Sequence, residues 1–223
     1  MSHPLALRAH ESSKAPENRT EKDTEAGPQL DSRHMRLIST RDDRDAPTGS
    51  VSDFKHAVFS GLAPDGGLWV PTDLPTFSPG RLAQLSELEW PEIAVELAKE
   101  LLAEEIPGSD LAALVRDALD FPIPLVQLDD DTWILELFHG PTLAFKDVAA
   151  RFLARVMSWA SSSDADPADS DLGATDPQNP LTVLVATSGD TGSAVAQAYF
   201  GVPGVQVKVL YPQGKVSEAQ RKL

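Results

Sequence analysis

The stretch from Leu181 to Tyr211 leaves the chain few folds to choose from. A continuous apolar run, Leu181 to Ala186 (LTVLVA), passes straight into small hydroxyl and glycine residues, Thr187-Ser188-Gly189-Asp190-Thr191-Gly192. Ser193 to Phe200 then has helical spacing, a Gly201 to Gly204 turn follows, and Val205 to Tyr211 is again apolar and β-branched. An uninterrupted apolar run suits a strand buried in a parallel sheet, and a strand, a helix and a second strand make a β-loop-α-β unit. The expectation is therefore an α/β fold. The loop joins a strand to a helix start, where backbone N–H groups lack intrahelical partners and glycine lets a ligand approach. Hydroxyls on Thr187, Ser188 and Thr191 add donors, so the loop suits a carboxylate or phosphate. It is equally readable as a simple strand-to-helix turn, and it matches neither the GxxxxGK[ST] nor the GxGxxG pattern.

A second stretch carries a different chemistry. Ile134 to Asp147 reads ILELFHGPTLAFKD: an apolar run ends in the turn His139-Gly140-Pro141-Thr142, and Lys146 follows between Phe145 and Asp147. Val148 to Trp159 has helical spacing, with Val148, Phe152, Val156 and Trp159 on its inward face, so Lys146 is expected near a helix start. The positive end of the helix dipole and walls formed by Phe138, Leu143, Ala144 and Phe145 would disfavour its ammonium form. A lysine so placed is available as a nucleophile or Schiff-base partner; the plain alternative is a solvated surface lysine. Arg151 and Arg155, four apart on the side of this helix, could draw an anion, but a spaced pair of this kind is expected to face solvent.

Composition narrows the field. The chain has 223 residues, 41% of them hydrophobic, no cysteine and a formal charge of −15. Without cysteine there is no disulfide framework and no thiol nucleophile. The acidic balance disfavours nucleic acid as a partner. No apolar run spans a bilayer and no leader pattern opens the chain, which points to a cytoplasmic location.

In order along the chain, residues 1–34 are polar and expected to be disordered. Met35 opens the first segment of ordered character and is a candidate translation start. Met35 to Arg41 is expected as a strand, Ser52 to Phe59 as a helix capped by Ser50 or Ser52, and Gly61 to Pro71 as a turn followed by Leu68-Trp69-Val70. Helices are expected over Pro79 to Leu85, over Pro91 to Ala103 with Ile93, Leu97, Leu101 and Leu102 inward, and over Ser109 to Leu119 capped by Ser109 or Asp110. Pro124 to Leu128 and Trp133 to Phe138 read as strands joined at Asp129-Asp130-Asp131. That acidic triplet and His139 are weak metal candidates, lacking a second ligand set at suitable spacing. Residues 161–180 read as a disordered insertion, and a further helix begins near Ser217. The domain expectation is thus 1–34 extension, 35–122 helical block and 123–223 α/β.

Three stretches carry a resemblance. FHGPTLAFKD resembles the lysine motif of the threonine synthase family, within the fold-type II pyridoxal-phosphate enzymes. LVATSGDTGSAVAQAYFG (Leu184 to Gly201) resembles that family's second motif, and LISTRDD with GLAPDGGLWVP its amino-terminal segment. Together they span about Met35 to Leu223. The resemblance implies a tryptophan synthase β-like fold, incomplete at its carboxy terminus, behind a helical amino-terminal block. It implies pyridoxal 5′-phosphate as cofactor, carried on Lys146, with Phe145 packed beside it and Asp190 at its edge. Thr187, Ser188, Gly189, Thr191 and Gly192 would hold the carboxylate end of the substrate, O-phospho-L-homoserine; Lys215 and Ser217 are weaker candidates for its phosphate, the plain alternative being a surface loop and helix start. The reaction implied is conversion of that compound and water to L-threonine and phosphate. Aspartate at position 190, where many fold-type II relatives have asparagine, favours the threonine synthase branch. The resemblance puts the cup for the cofactor's phosphate in a further carboxy-terminal half, so this chain by itself is expected to bind cofactor weakly and turn over little. The alternatives are another fold-type II lyase, such as a serine or threonine dehydratase or a cysteine synthase, and a non-catalytic remnant module.

Overall fold

A computed structural model describes residues 35–42, 51–162, 180–187 and 189–218. The expected extension 1–34 lies outside the described residues, as do 163–179 of the expected insertion, Ser188, and all but the first residues of the helix expected from Ser217. All described residues belong to one compact unit, Asp31–Leu223.

The amino-terminal strand β1 (Leu37–Ser39) pairs antiparallel with β2 (Trp69–Pro71), Ile38 opposite Val70. The intervening Pro-Asp-Gly-Gly turn is tied back onto β1. The Ser39 hydroxyl donates to Asp65 Oδ1 at 2.7 Å, and the Gly67 N–H donates to the same oxygen at 2.8 Å. These donors, Gly67 first, hold the Asp65 carboxyl below its ordinary range. Only glycine fits at 67, since a Cβ there would sit 2.0 Å from Ser39 Oγ. Helix α1 (Phe54–Ser60) is capped by Asp53, whose carboxylate accepts from the His56 N–H at 2.7 Å. This corrects the expected serine caps. Ser52 is one position too early, because its backbone N–H and C=O are committed to a bridge with Leu37.

Three helices follow: α2 (Pro79–Ser86), α3 (Glu92–Leu102) and α4 (Gly108–Ala118). Ser78 caps α2 by accepting from Arg81 N. The inward face of α3 differs from expectation: Ala94, Val95 and Leu102 are buried, while Leu97 and Leu101 are 37% and 40% exposed. The sequence EIAVELAKELL offers two apolar stripes of helical period, and the position of α4 selects the one through Val95. Helix α4 has no side-chain cap; the expected cap residue Asp110 accepts instead from Trp159 Nε1 at 3.1 Å.

A short hairpin, β3 (Leu125–Gln127) with β4 (Trp133–Leu135), comes next, and its strands are solvent-exposed. Its turn is closed by Asp129 Oδ1, which accepts from the N–H groups of Asp131 and Thr132. The acidic triplet is thus a turn; no group of three ligands fit for a metal occurs among the described residues.

Helix α5 (Lys146–Ser162) takes in Ser161 and Ser162, which were assigned to the insertion. Val156 is buried in one core with Val95, Ile106, Leu111 and Val115, and Val148, Phe152 and Trp159 pack against it. That core joins α5 to the helical block across the boundary drawn at residue 122. The two arginines of α5 are structural, contrary to expectation. Arg151, only 6% exposed, donates from Nε to Ala118 O at 2.7 Å and from Nη2 to Asp117 O and Asp120 Oδ1. Arg155 reaches Asp117 Oδ2 on one side and Ala198 O on the other. Carbonyls in the last turn of α4 lack intrahelical donors, and a guanidinium supplies them.

Strand β5 (Leu181–Ala186) and β6 (Val205–Leu210) pair in parallel in register, Val183 opposite Val207, with α6 (Asp190–Tyr199) between them in sequence. The β-loop-α-β reading holds. The expected burial of β5 on both faces does not: its residues alternate between half-buried and exposed, and Leu184 is 63% exposed. One face packs Val183 and Val207 onto Ala154, Met157, Ala198 and Tyr199, so α5 and α6 both cover that side.

Candidate active site

Lys146 occupies the first position of α5, after β4 and a turn, as expected. Its Nζ lies over the Phe145 ring, 4.4 Å from the centroid, and the residue is half-buried. The enclosing apolar walls are only partly present. Ala144 is buried, but Phe138, Leu143 and Phe145 are 49%, 71% and 61% exposed. The amine therefore rests on one aromatic face and is accessible from outside.

What shapes the turn before Lys146 is its neighbour. Asp147 is fully buried, and both its oxygens face one residue: Oδ2 accepts from the Thr142 N–H at 2.8 Å and Oδ1 from the Thr142 hydroxyl at 2.6 Å. Gly140 has no room for a side chain, because a Cβ would lie 2.6 Å from Asp147 Oδ2. Leu143, between them, has φ 59°, a left-handed conformation uncommon for leucine. Sequence reading treated Asp147 only as a flank of the lysine. The available signal was a glycine and a threonine shortly before an acid in a first helical turn.

His139 was weighed as a ligand. It instead pairs through Nε2 with Glu136 Oε2 at 2.7 Å, beside the Phe138 ring.

The second motif lies at the carboxyl end of β5. Thr187 N–H donates to Leu210 O, continuing the sheet by one residue, and the Gly189 N–H reaches Thr187 Oγ1 at 3.3 Å. Ser188 lies outside the described residues. Gly189 caps α6 in extended conformation, and Asp190 and Thr191 begin the helix exposed. An acid in a first turn is favourably placed in the helix dipole. Gly192 is buried, and a Cβ on it would meet Thr187 Cγ2 at 2.6 Å, so its missing side chain lets α6 pack on the strand end. Beside the loop, Ala186, Thr187, Leu210, Tyr211 and Pro212 line an open hollow of about 450 Å³ at the carboxyl ends of both strands, where α/β sheets bind ligands. Lys215 lies in an exposed turn closed by its N–H to Pro212 O, outside the lining of that hollow. A hollow of about 410 Å³ between Arg36, Leu74 and Lys99 contains none of these residues.

Helices α5 and α6 pack together: Arg155 Nη1 donates to Ala198 O and the Tyr199 hydroxyl meets Met157 Sδ. Lys146 and Asp190 are the first residues of these two helices, and helix N-termini favour anions.

Residues 36–119 match the family model described as threonine synthase N terminus. The chain is 40% identical over 170 residues to the threonine synthase of Escherichia coli strain K12, covering 76% of this chain and 36% of that protein. It is 38% identical over 175 residues to that of Schizosaccharomyces pombe, covering 75% and 33%. Among solved structures, a pyridoxal-phosphate-bound threonine synthase from Brucella melitensis aligns with a TM-score of 0.71 at 36% identity, over 84% of this chain and 38% of that one. The yeast threonine synthase aligns at 0.69 and 33%, over 85% and 38%. The chain thus spans little more than a third of the length of these relatives. Its fold is that of the fold-type II pyridoxal-phosphate enzymes, of which it covers part. Within that class it belongs to the threonine synthase family, matching the amino-terminal portion.

Proposed function

We propose that the chain contributes the lysine-bearing part of a threonine synthase active site, acting on O-phospho-L-homoserine and water to give L-threonine and phosphate. The observation that carries the reading is Lys146 at the first position of α5 with its amine on the Phe145 face, in a chain whose second motif opens α6, the helix packed against α5. The residues present suit pyridoxal phosphate: a half-buried lysine amine on an aromatic face at the first position of a helix. When bound, that cofactor supplies an electron sink for chemistry at the amino-acid Cα.

The chain's own residues do the rest. Lys146 would hold the cofactor through its aldehyde, and the lysine amine would move protons at the substrate Cα and Cβ as general base and acid. Thr187, Ser188 and Thr191 would offer hydroxyls to the substrate carboxylate, and Gly189 and Gly192 let it approach the loop closely. Phe145 would pack beside the cofactor and exclude water, and Asp190 would be a further contact for it. Lys215, on its exposed turn, is an outer contact for the substrate phosphate. The cup for the cofactor's phosphate belongs to a carboxy-terminal partner segment, and the working location is the cytoplasm.

The experiment supplies pyridoxal phosphate and O-phospho-L-homoserine and measures phosphate and threonine, with serine and threonine as rival substrates. The reading expects any turnover to release phosphate and threonine in equal amounts, to be slow for this chain alone, and to vanish in Lys146→Ala. Oxo-acid formation from serine or threonine without phosphate release would instead identify a dehydratase.

A further inference from the structure

A fully buried carboxylate sits beside the lysine and takes no part in the chemistry above. We propose that Asp147, acting through Thr142, is a positioning residue that sets where the Lys146 amine is presented; this rests on reading Lys146 as the reactive amine.

Lys146 is the first residue of α5, where the helix has not yet begun to hold its own backbone. The position of its Cα is therefore decided by the turn leading into it. That turn is closed by the two hydrogen bonds from Thr142 to Asp147, spanning the segment that contains Leu143, Ala144, Phe145 and Lys146. Thr142 itself is only 6% exposed. Gly140 lets the carboxylate fit against the chain, and Leu143 accepts a left-handed φ within the ring that Thr142 and Asp147 close. Phe145, inside the same ring, carries the amine head on its face. Filling the Asp147 position with an apolar side chain would avoid the cost of burying a carboxylate. A carboxylate alone offers two acceptors side by side, able to hold both donors of one threonine. Backbone and amine head are thus constrained by one small loop, as a group that must meet a reacting atom requires.

The test uses the 223-residue chain with pyridoxal 5′-phosphate as probe, brief borohydride reduction, and peptide mapping. The readout is label at Lys146 relative to label at exposed Lys208 in the same molecules. Removing the threonine hydroxyl in Thr142→Val should lower this ratio about tenfold, the scale on which small misplacements of reacting groups act. Thr142→Ser, which keeps the hydroxyl, should retain the unaltered ratio, and Asp147→Asn should lower it. Circular dichroism identifies any variant that fails to fold; should Asp147→Asn be one, Thr142→Val decides. A folded Thr142→Val with an unchanged ratio overturns the proposal, even if its unfolding midpoint falls, because the pair would then serve stability alone. If Lys146 in the unaltered chain labels no better than Lys208, the reactive-lysine reading fails, and the positioning role with it.

Discussion

Replacing Arg151 by methionine tests a three-way polar tie between α5 and the end of α4. Methionine keeps the length of the aliphatic stem and removes the guanidinium. In the folded chain Arg151 Nε donates to Ala118 O at 2.7 Å and Nη2 to Asp117 O at 2.9 Å. Both carbonyls belong to the last turn of α4, and methionine cannot supply donors to them. Hydrogen bonds to a charged group are worth about 1.5–3 kcal/mol each. The third contact, to Asp120 Oδ1, involves a carboxylate that is 62% exposed, so it adds at most about 1 kcal/mol. The sum is a loss of about 3–7 kcal/mol, a large share of the roughly 5–15 kcal/mol typical of a domain. Arg151→Lys, with a charge but no fork, should lose roughly half as much. Urea unfolding followed by tryptophan fluorescence reads both, because Trp159 lies on α5 and Trp90 donates to Phe121 O next to the same helix end. A loss below about 1 kcal/mol for Arg151→Met would refute the reasoning, showing that water satisfies the α4 carbonyls as well as the arginine does.

Three further outcomes are expected. Gly140→Ala should cost about 1–3 kcal/mol of unfolding free energy, since the new methyl meets the buried Asp147 carboxylate. By contrast, Gly80→Ala in α2, where nothing lies within 4 Å of a new Cβ, should stabilise by about 0.4–1 kcal/mol in the same assay. At high pH, the phenol of Tyr199, only 4% exposed, is pushed by burial up to about 12. Between the ordinary value of 10.0 and about 12 the folded chain keeps a proton that the unfolded chain has released, so stability falls as pH rises through that window. The loss attributable to this group is roughly 2–3 kcal/mol, and Tyr199→Phe should lack it when urea midpoints are compared across the window.

Much of the architecture could be read from local pattern. The 181–211 stretch announced its parallel pair because an apolar run, a glycine-rich loop, a helix and a second β-branched run permit little else. The hairpin around Asp129 and the start of α5 at Lys146 followed from turn chemistry and spacing. What stayed hidden was decided by partners distant in sequence. Val95 was chosen over Leu97 as the inward side of α3 by α4, and a Leu-rich helix does not state which stripe a neighbour will take. Arg151 and Arg155 looked like a solvated pair because their acceptors are backbone carbonyls and acids 31 to 43 residues away. Burial of β5 was overstated because an apolar run does not say how many layers cover it; here both helices take the same side. At the site, the lysine and the glycine loop were visible as motifs. The carboxylate that shapes the lysine's turn was not, since a lone acid in a first helical turn ordinarily faces water.

On the proposed reading, Lys146 is the one lysine among the described residues presented for condensation with an aldehyde. The direct measurement is peptide mapping after pyridoxal phosphate and borohydride treatment of the unaltered chain. The reduced adduct is expected to concentrate on the peptide containing Phe145, Lys146 and Asp147, and Lys146→Ala to abolish it without transferring it elsewhere. Label spread over Lys55, Lys99, Lys208 and Lys215 in proportion to their exposure would contradict it.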